Sequence, residues 1–206
     1  TAFGLKNKST MSGSHITIIK ELREATGASL NDIKEALLES GGDTNKALSI
    51  LKIKGQAMAQ KKSAREAKEG IIAAYVHSNR KIGVLVELRC ETDFVARNSE
   101  FQKLAKELAL QIAATDPRYL KAEDIPDEIK AEERKIFEAT LGDTNKPTAM
   151  RNEIIEGKLN KRWSEICLLK QSYIRNEDMT IEELMNEYTA KLGEKIEIGR
   201  FVRFAL

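Results

Sequence analysis

The chain has 206 residues, 41% of them hydrophobic and 32% charged, and its 34 basic and 32 acidic side chains leave a net charge of +2. That balance exerts little long-range pull on nucleic acid, and the composition is that of a helix-rich globular protein, not a disordered tail. Cys90 and Cys167 are the only cysteines, which excludes a disulfide framework or a metal-finger spacing and points to a reducing, cytoplasmic setting; no apolar run approaches the ~20 residues of a membrane span.

Residues 1–14 carry no periodicity, and Met11 resembles a natural start, so they are expected to be a leader or tag outside the fold. Residues 15–55 read as a three-helix bundle. Ile16, Ile19 and Leu22 share one helix face, and the helix ends near Thr26-Gly27. Ser29 and Asp32 form a variant capping box, with Asp in place of the usual Glu. The second helix presents Leu30, Ile33 and Leu37 inward and stops at Gly41-Gly42. Asp43 caps a third helix carrying Ala47, Leu48 and Leu51, with its end expected near Gly55. Residues 56–69 are a basic, alanine-rich linker helix with Lys61, Lys62, Arg65 and Lys68 on one face. A solvated linker and a nucleic-acid patch both fit such a run, although the patch lacks interleaved aromatics.

Residues 70–206 read as an α+β core. Gly70–His77 and Ile82–Arg89 alternate as two strands around the loop Ser78-Asn79-Arg80-Lys81. An isolated hairpin is marginal, and the C-terminal run from Lys195 to Phe204 supplies a third strand. Ile196, Ile198, Phe201 and Phe204 are its apolar members, and a bulge is expected at Gly199. The fold class is therefore α+β, with a three-stranded antiparallel sheet packed with helices on one face. Helices are also expected from about Pro126 to Leu141, from Thr148 to about Ile166, and from Thr180 to Leu192. The last is opened by a Thr180–Glu183 capping box and closed by Gly193. Trp163, Leu168, Leu169 and Tyr173 form an apolar and aromatic cluster.

Between the second strand and the following helix lies Cys90-Glu91-Thr92-Asp93-Phe94-Val95-Ala96-Arg97-Asn98. Asn98 is suited to cap the helix carrying Phe101, Leu104, Ala105, Leu108 and Ile112. Asp93 and Phe94 then fall on the connection, where side chains reach partners. Phe94 as an interface wedge competes with Phe94 as a core residue; Asp93 could be a loop cap and Val95 core.

The inventory argues against covalent catalysis. The histidines are His15 and His77, too few for a His-based triad. Cys90 has no base adjacent in sequence. Neither a Walker phosphate loop nor Gly-x-Gly-x-x-Gly is present. No catalytic, metal-binding or cofactor-binding residue is assigned, and no cofactor is expected.

The Thr92-Asp93-Phe94-Val95 string after a strand resembles the signature of the elongation factor Ts family. Residues 22–28 (LREATGA), 31–37 (NDIKEAL), 156–161 (EGKLNK) and 200–204 (RFVRF) resemble the family in the same order. The resemblance implies a nucleotide exchange factor for elongation factor Tu. In it, Thr92, Asp93, Phe94 and Val95 displace magnesium from the partner, and a ubiquitin-associated-like bundle grips the partner's GTP-binding domain. Arg23, Leu30, Asn31 and Asp32 match the gripping positions; the family usually has two methionines where Leu30 and Asn31 stand. Longer members carry two sheet-bearing halves and an inserted helical hairpin, so this single half is expected to form a homodimer through the C-terminal sheet region and the Trp163–Tyr173 cluster. No direct contact with nucleic acid or membrane is expected. A ribosome- or RNA-binding module and a ubiquitin-type adaptor are the rival classes, and neither accounts for the Thr-Asp-Phe-Val string.

Overall fold

The computed structural model describes residues 13–142 and 147–206. The chain divides into two compact units. One runs to Ala64 and takes in Glu187–Gly193; the other comprises Arg65–Asn186 and Glu194–Leu206. The proposed leader falls largely on residues 1–12, outside the described residues, and the first helix already includes Gly13 and Ser14.

The first unit is built on helices α1 (Gly13–Thr26), α2 (Leu30–Glu39) and α3 (Thr44–Lys62). Local chemistry sets their ends. Asp32 N donates to Ser29 Oγ at 3.1 Å, as an N-cap requires. The short Asp32 carboxylate accepts from the Ser29 hydroxyl at 2.5 Å instead of reaching the cap's backbone. Asp43 Oδ1 accepts from Asn45 N and Lys46 N at 2.9 and 3.1 Å. Leu22, Ile33, Ala36, Ala47 and Leu51 form the core, with Ile18, Ile19 and Leu37 packed against it. Two expectations are corrected. Leu30 is 44% exposed and does not belong to this core, because at the first position of α2 it lies a turn away from Ile33 and Ala36. Gly55 does not end α3, which continues to Lys62, so only the first half of the basic segment is helical, and Arg65 and Lys68 lie beyond the helix instead of sharing one face with Lys61 and Lys62. A glycine costs a helix only about 1 kcal/mol, and this one packs closely, since a Cβ there would lie 3.6 Å from Ala190 Cβ.

In the second unit β1 (Glu69–Val76), β2 (Ile82–Cys90) and β5 (Glu197–Ala205) form an antiparallel sheet in the order β1-β2-β5. The bulge lies where Gly199 predicts it: the register passes from Val86↔Phe201 to Leu88↔Ile198, placing the extra residue of β5 opposite Glu87. A Cβ on Gly199 would meet only the ends of the Arg89 and Glu87 side chains, at 2.8 and 2.9 Å. Helix α5 (Ser99–Thr115) covers one face of the sheet with Phe101, Leu104, Ala105, Leu108 and Ile112 against Val84, Val86 and Leu88, all buried. Fully burying one such large side chain contributes about 1.5–3 kcal/mol.

Among the described residues nothing covers the other face. Register aligns Val76, Gly83 and Phe204 in one row and Ala74, Leu85 and Val202 in the next. Phe204 is 68% exposed there, on the side opposite Phe201, because residues three apart on a strand face opposite sides. At the end of this face Glu87 meets Arg89 and Arg200. The Arg89 hydrogen bond chiefly holds Glu87 below its ordinary carboxylate value, with Arg200 adding to it.

Helices α6 (Asp127–Leu141) and α7 (Thr148–Ile166) pair as a hairpin, bridged by Glu133–Arg162 and Arg134–Glu156. Ile125, Ile155, Leu159, Trp163, Ile166 and Cys167 form its core, with Phe137 alongside, while Ile136 is exposed. Trp163, at 8% exposure, is spent inside the chain, and the Tyr173 hydroxyl donates to Glu107 at 3.0 Å. A small hairpin of β3 (Ser172–Tyr173) and β4 (Asn176–Thr180) precedes the last helix. It is anchored by buried Gln111, whose Oε1 accepts from Ile174 N. Helix α8 (Ile181–Leu192) starts with the expected capping box, Thr180 N donating to Glu183 and Glu183 N to Thr180 Oγ1, and ends at left-handed Gly193.

Two tests follow from this packing. Gly27 has φ +64, and a Cβ there would lie 2.4 Å from Lys191 Cβ. Gly27→Ala is therefore expected to lower unfolding free energy by about 2 kcal/mol in denaturant titration; an unchanged midpoint would contradict the close approach. Cys90 and Cys167 are both buried. Burial, and secondarily the Glu194 charge, pushes the Cys90 thiol up to about 11, and burial raises Cys167. Neither should react with an aromatic disulfide reagent at pH 8 in the native protein, and both should react in guanidinium.

Candidate functional site

The connection after β2 is more ordered than the sequence suggests. Asp93–Ala96 form a single helical turn, α4, with Thr92 as its N-cap. Val95 N donates to Thr92 Oγ1 at 3.4 Å, and Arg97 N donates to Asp93 O at 3.1 Å. Ala96 is buried and α4 packs on β1, β2 and α5. Asn98 then caps α5 as expected, its Oδ1 accepting from Glu100 N at 2.8 Å. The chain therefore passes from strand to turn to helix with little freedom.

On this base Phe94 is 82% exposed. The alternative of a core phenylalanine is excluded. Val95 is half-buried. Asp93 points back along α4 to Arg97, whose guanidinium lies 3.0 Å from its carboxylate. Successive residues on a helix are about 100° apart, so the acid and the aromatic leave the turn in different directions.

The turn is also tied from a distant part of the chain. The Glu194 carboxylate accepts from Glu91 N at 3.1 Å, from Thr92 N at 3.0 Å and from Thr92 Oγ1 at 2.6 Å. In return Glu91 Oε1 accepts from Lys195 N at 2.6 Å. Arg65 bridges to Glu91 at 3.4 Å, Lys195 Nζ donates to Arg65 O at 2.8 Å, and the Cys90 thiol donates to Thr92 O at 3.2 Å. Sequence reasoning did not find Glu194. It follows the Gly193 helix stop and has no pattern of its own; only the three-dimensional closure reveals it.

The other predicted residues lie in the first unit, at the corner between α1 and α2. Arg23 is exposed in the last turn of α1, and its carbonyl accepts from Gly27 N at 2.8 Å. Leu30 and Asn31 are exposed at the start of α2, while half-buried Asp32 is held by Ser29. Among the described residues no group of three His, Cys, Asp or Glu side chains could hold a metal ion, and no helix is long and apolar enough to cross a membrane.

Comparison with known proteins agrees with the Thr-Asp-Phe-Val string. The family described as Elongation factor TS matches residues 15–206. The Elongation factor Ts of Thermodesulfovibrio yellowstonii is 53% identical over 187 residues, covering 91% of this chain and 93% of its own length. That of Thermosipho melanesiensis is 49% identical, covering 92% of this chain and 96% of its own. That of Geobacter metallireducens is 48% identical, covering 91% and 87%. With the family matched from residue 15 to the C-terminus and relatives at about half identity along that length, this chain belongs to the elongation factor Ts family.

Proposed function

We propose that this chain accelerates GDP release from elongation factor Tu in the cytoplasm, as a nucleotide exchange factor that performs no covalent chemistry and binds no nucleotide itself. The observation that carries this reading is Phe94, a large aromatic held 82% exposed on a one-turn helix whose backbone is fastened on both sides. An aromatic anchor entering a pocket dominates an interface, at roughly 2–4 kcal/mol. Presenting it from a rigid turn avoids the ordering cost of a loose loop.

The mechanism is one of linkage. In a translational GTPase the nucleotide's phosphates are held by backbone donors, a lysine and magnesium. Phe94 wedges into the partner, and the Thr92–Val95 turn brings the Asp93 carboxylate toward the metal's surroundings. A protein that binds the magnesium- and nucleotide-free partner more tightly must weaken nucleotide binding by the same factor. Arg97 neutralises part of the Asp93 charge in the free chain, so engagement trades an exposed ion pair, worth at most about 1 kcal/mol, for contacts in the partner. Arg23, Leu30, Asn31 and Asp32 supply a separate grip, with exposed Leu30 as its apolar contact.

The basic run favours protein over nucleic acid as the partner. Lys62 Nζ donates to Gly193 O, Arg65 pairs with Glu91, and Lys68 pairs with Glu66 at 2.5 Å. These cations are engaged within the chain, whereas phosphate binding wants them directed at the backbone of a nucleic acid.

The homodimer is carried by the open sheet face, not by Trp163. Ile72, Val76, Leu85, Val202 and Phe204 expose an apolar surface edged by Glu87, Arg89 and Arg200. A second copy covers it well, because a two-fold contact needs a self-complementary patch and paired sheets pack about 10 Å apart. Light scattering at micromolar concentration is expected to give twice the 23.1 kDa chain mass, and Leu85→Glu is expected to give the single-chain mass. A wild-type monomer would contradict the dimer.

The exchange reading is tested by release of labelled GDP from elongation factor Tu. Wild type is expected to accelerate release catalytically, and the Asp93→Ala, Phe94→Ala double variant to lose most of that acceleration with unchanged helicity. Equal acceleration by both would move the lever away from the turn; no acceleration by wild type would overturn the function.

A further inference from the structure

We propose that Glu194 is a positioning residue for the exchange turn: its carboxylate fixes the backbone from which Asp93 and Phe94 project. This rests on the exchange reading above. One carboxylate takes three donors from two consecutive residues, Glu91 N, Thr92 N and Thr92 Oγ1, at 2.6–3.1 Å. Those residues are the last before α4, so their orientation sets the axis of that turn. Hydrogen bonds to a charged acceptor are roughly twice as strong as neutral ones.

Thr92 links the two halves of the arrangement. Its hydroxyl donates to Glu194 Oε1 while accepting from Val95 N. The same oxygen therefore caps α4 and receives its orientation from Glu194. Lys195 N on Glu91 Oε1 closes the clasp in the opposite sense. A four-residue helix has too few internal bonds to hold itself, since a first helical turn is unfavourable alone. Without Glu194, α4 loses this anchoring, and Phe94 sweeps a range of directions.

Geometry, and not charge, is what the proposal requires. A glutamine can reproduce the clasp, its carbonyl oxygen accepting the two backbone N–H groups and its amide donating to Thr92 Oγ1, which retains a lone pair for Val95 N. Aspartate, one methylene shorter, cannot span the same three donors from the same backbone.

The experiment compares wild type, Glu194→Gln, Glu194→Ala and Glu194→Asp in labelled GDP release over a range of protein concentrations. Amide hydrogen exchange on the Glu91–Val95 segment is measured on each. Glu194→Ala and Glu194→Asp should lose about ten- to a hundredfold in maximal release rate, the scale of a misplacement near 1 Å. Glu194→Gln should stay within about threefold of wild type in maximal rate, since it restores the bonding pattern. Protection of the Glu91 and Thr92 amides should fall in the alanine variant and return in the glutamine variant.

A fully active Glu194→Ala variant, or unchanged amide protection in it, overturns the positioning role and leaves the exchange reading standing. So does Glu194→Gln as weak as Glu194→Ala, which would assign the effect to charge. Wild type that fails to accelerate release overturns the exchange reading and the inference together. Should Glu194→Ala not fold, Thr92→Val takes its place. It removes one of the three links and the cap, and full activity in it likewise overturns the proposal.

Discussion

An exposed aromatic side chain is useful to a protein only if the backbone beneath it cannot move, and this requirement organises the second unit. Phe94 stands on four helical residues that could not persist alone. They persist because β2 delivers the chain in a fixed direction, Ala96 is buried under the turn, Asn98 starts a long buried helix immediately afterwards, and Glu194 holds the entry. The sheet, α5 and the segment leading into β5 can thus be understood as a mount for two side chains. The cost of exposing Phe94 in the free chain is of the order of the ~1.5–3 kcal/mol gained by burying it, and that energy becomes available on contact with a partner.

The rest of the molecule divides the work. The first unit has its own core and a corner at which Arg23, Leu30 and Asn31 reach solvent. The open sheet face has apolar rows that no other part of the described chain covers, ending in the Glu87–Arg89–Arg200 charges. The α6–α7 hairpin carries its own core around Trp163. The Arg23–Asn31 corner, the Phe94 turn and the apolar sheet rows thus lie on different elements of the chain.

Much of this was legible in the sequence where the determining interactions are local. Ser29, Asp43, Asn98 and Thr180 cap the helices they precede because a cap is decided within four residues. Gly199 marks the bulge, where two residues of β5 lie opposite Glu87. What escaped depends on distant neighbours. Gly55 is carried through α3, close to Ala190. Phe204 faces outward because the sheet register, not its apolarity, assigns its side. The mostly polar residues 176–180 form a strand because Ser172 and Tyr173 lie opposite Thr180 and Asn176 and Gln111 pins the turn. Leu30 could not be divided between core and contact by its type alone. Glu194 reaches Thr92 across 102 residues of chain, a closure that no local pattern encodes.

The central claim is that the turn acts through the partner's magnesium, and the most direct measurement is GDP release from elongation factor Tu with magnesium present and with magnesium chelated. Wild type and Phe94→Ala are compared in both conditions. If the turn works by dislodging the metal, wild type should exceed the variant by about tenfold or more with magnesium, the value of one lost anchor. That advantage should shrink toward unity once the metal has been removed. An advantage of the same size in both conditions would contradict the account, because Phe94 would then act on the nucleotide or the partner's fold without involving the metal.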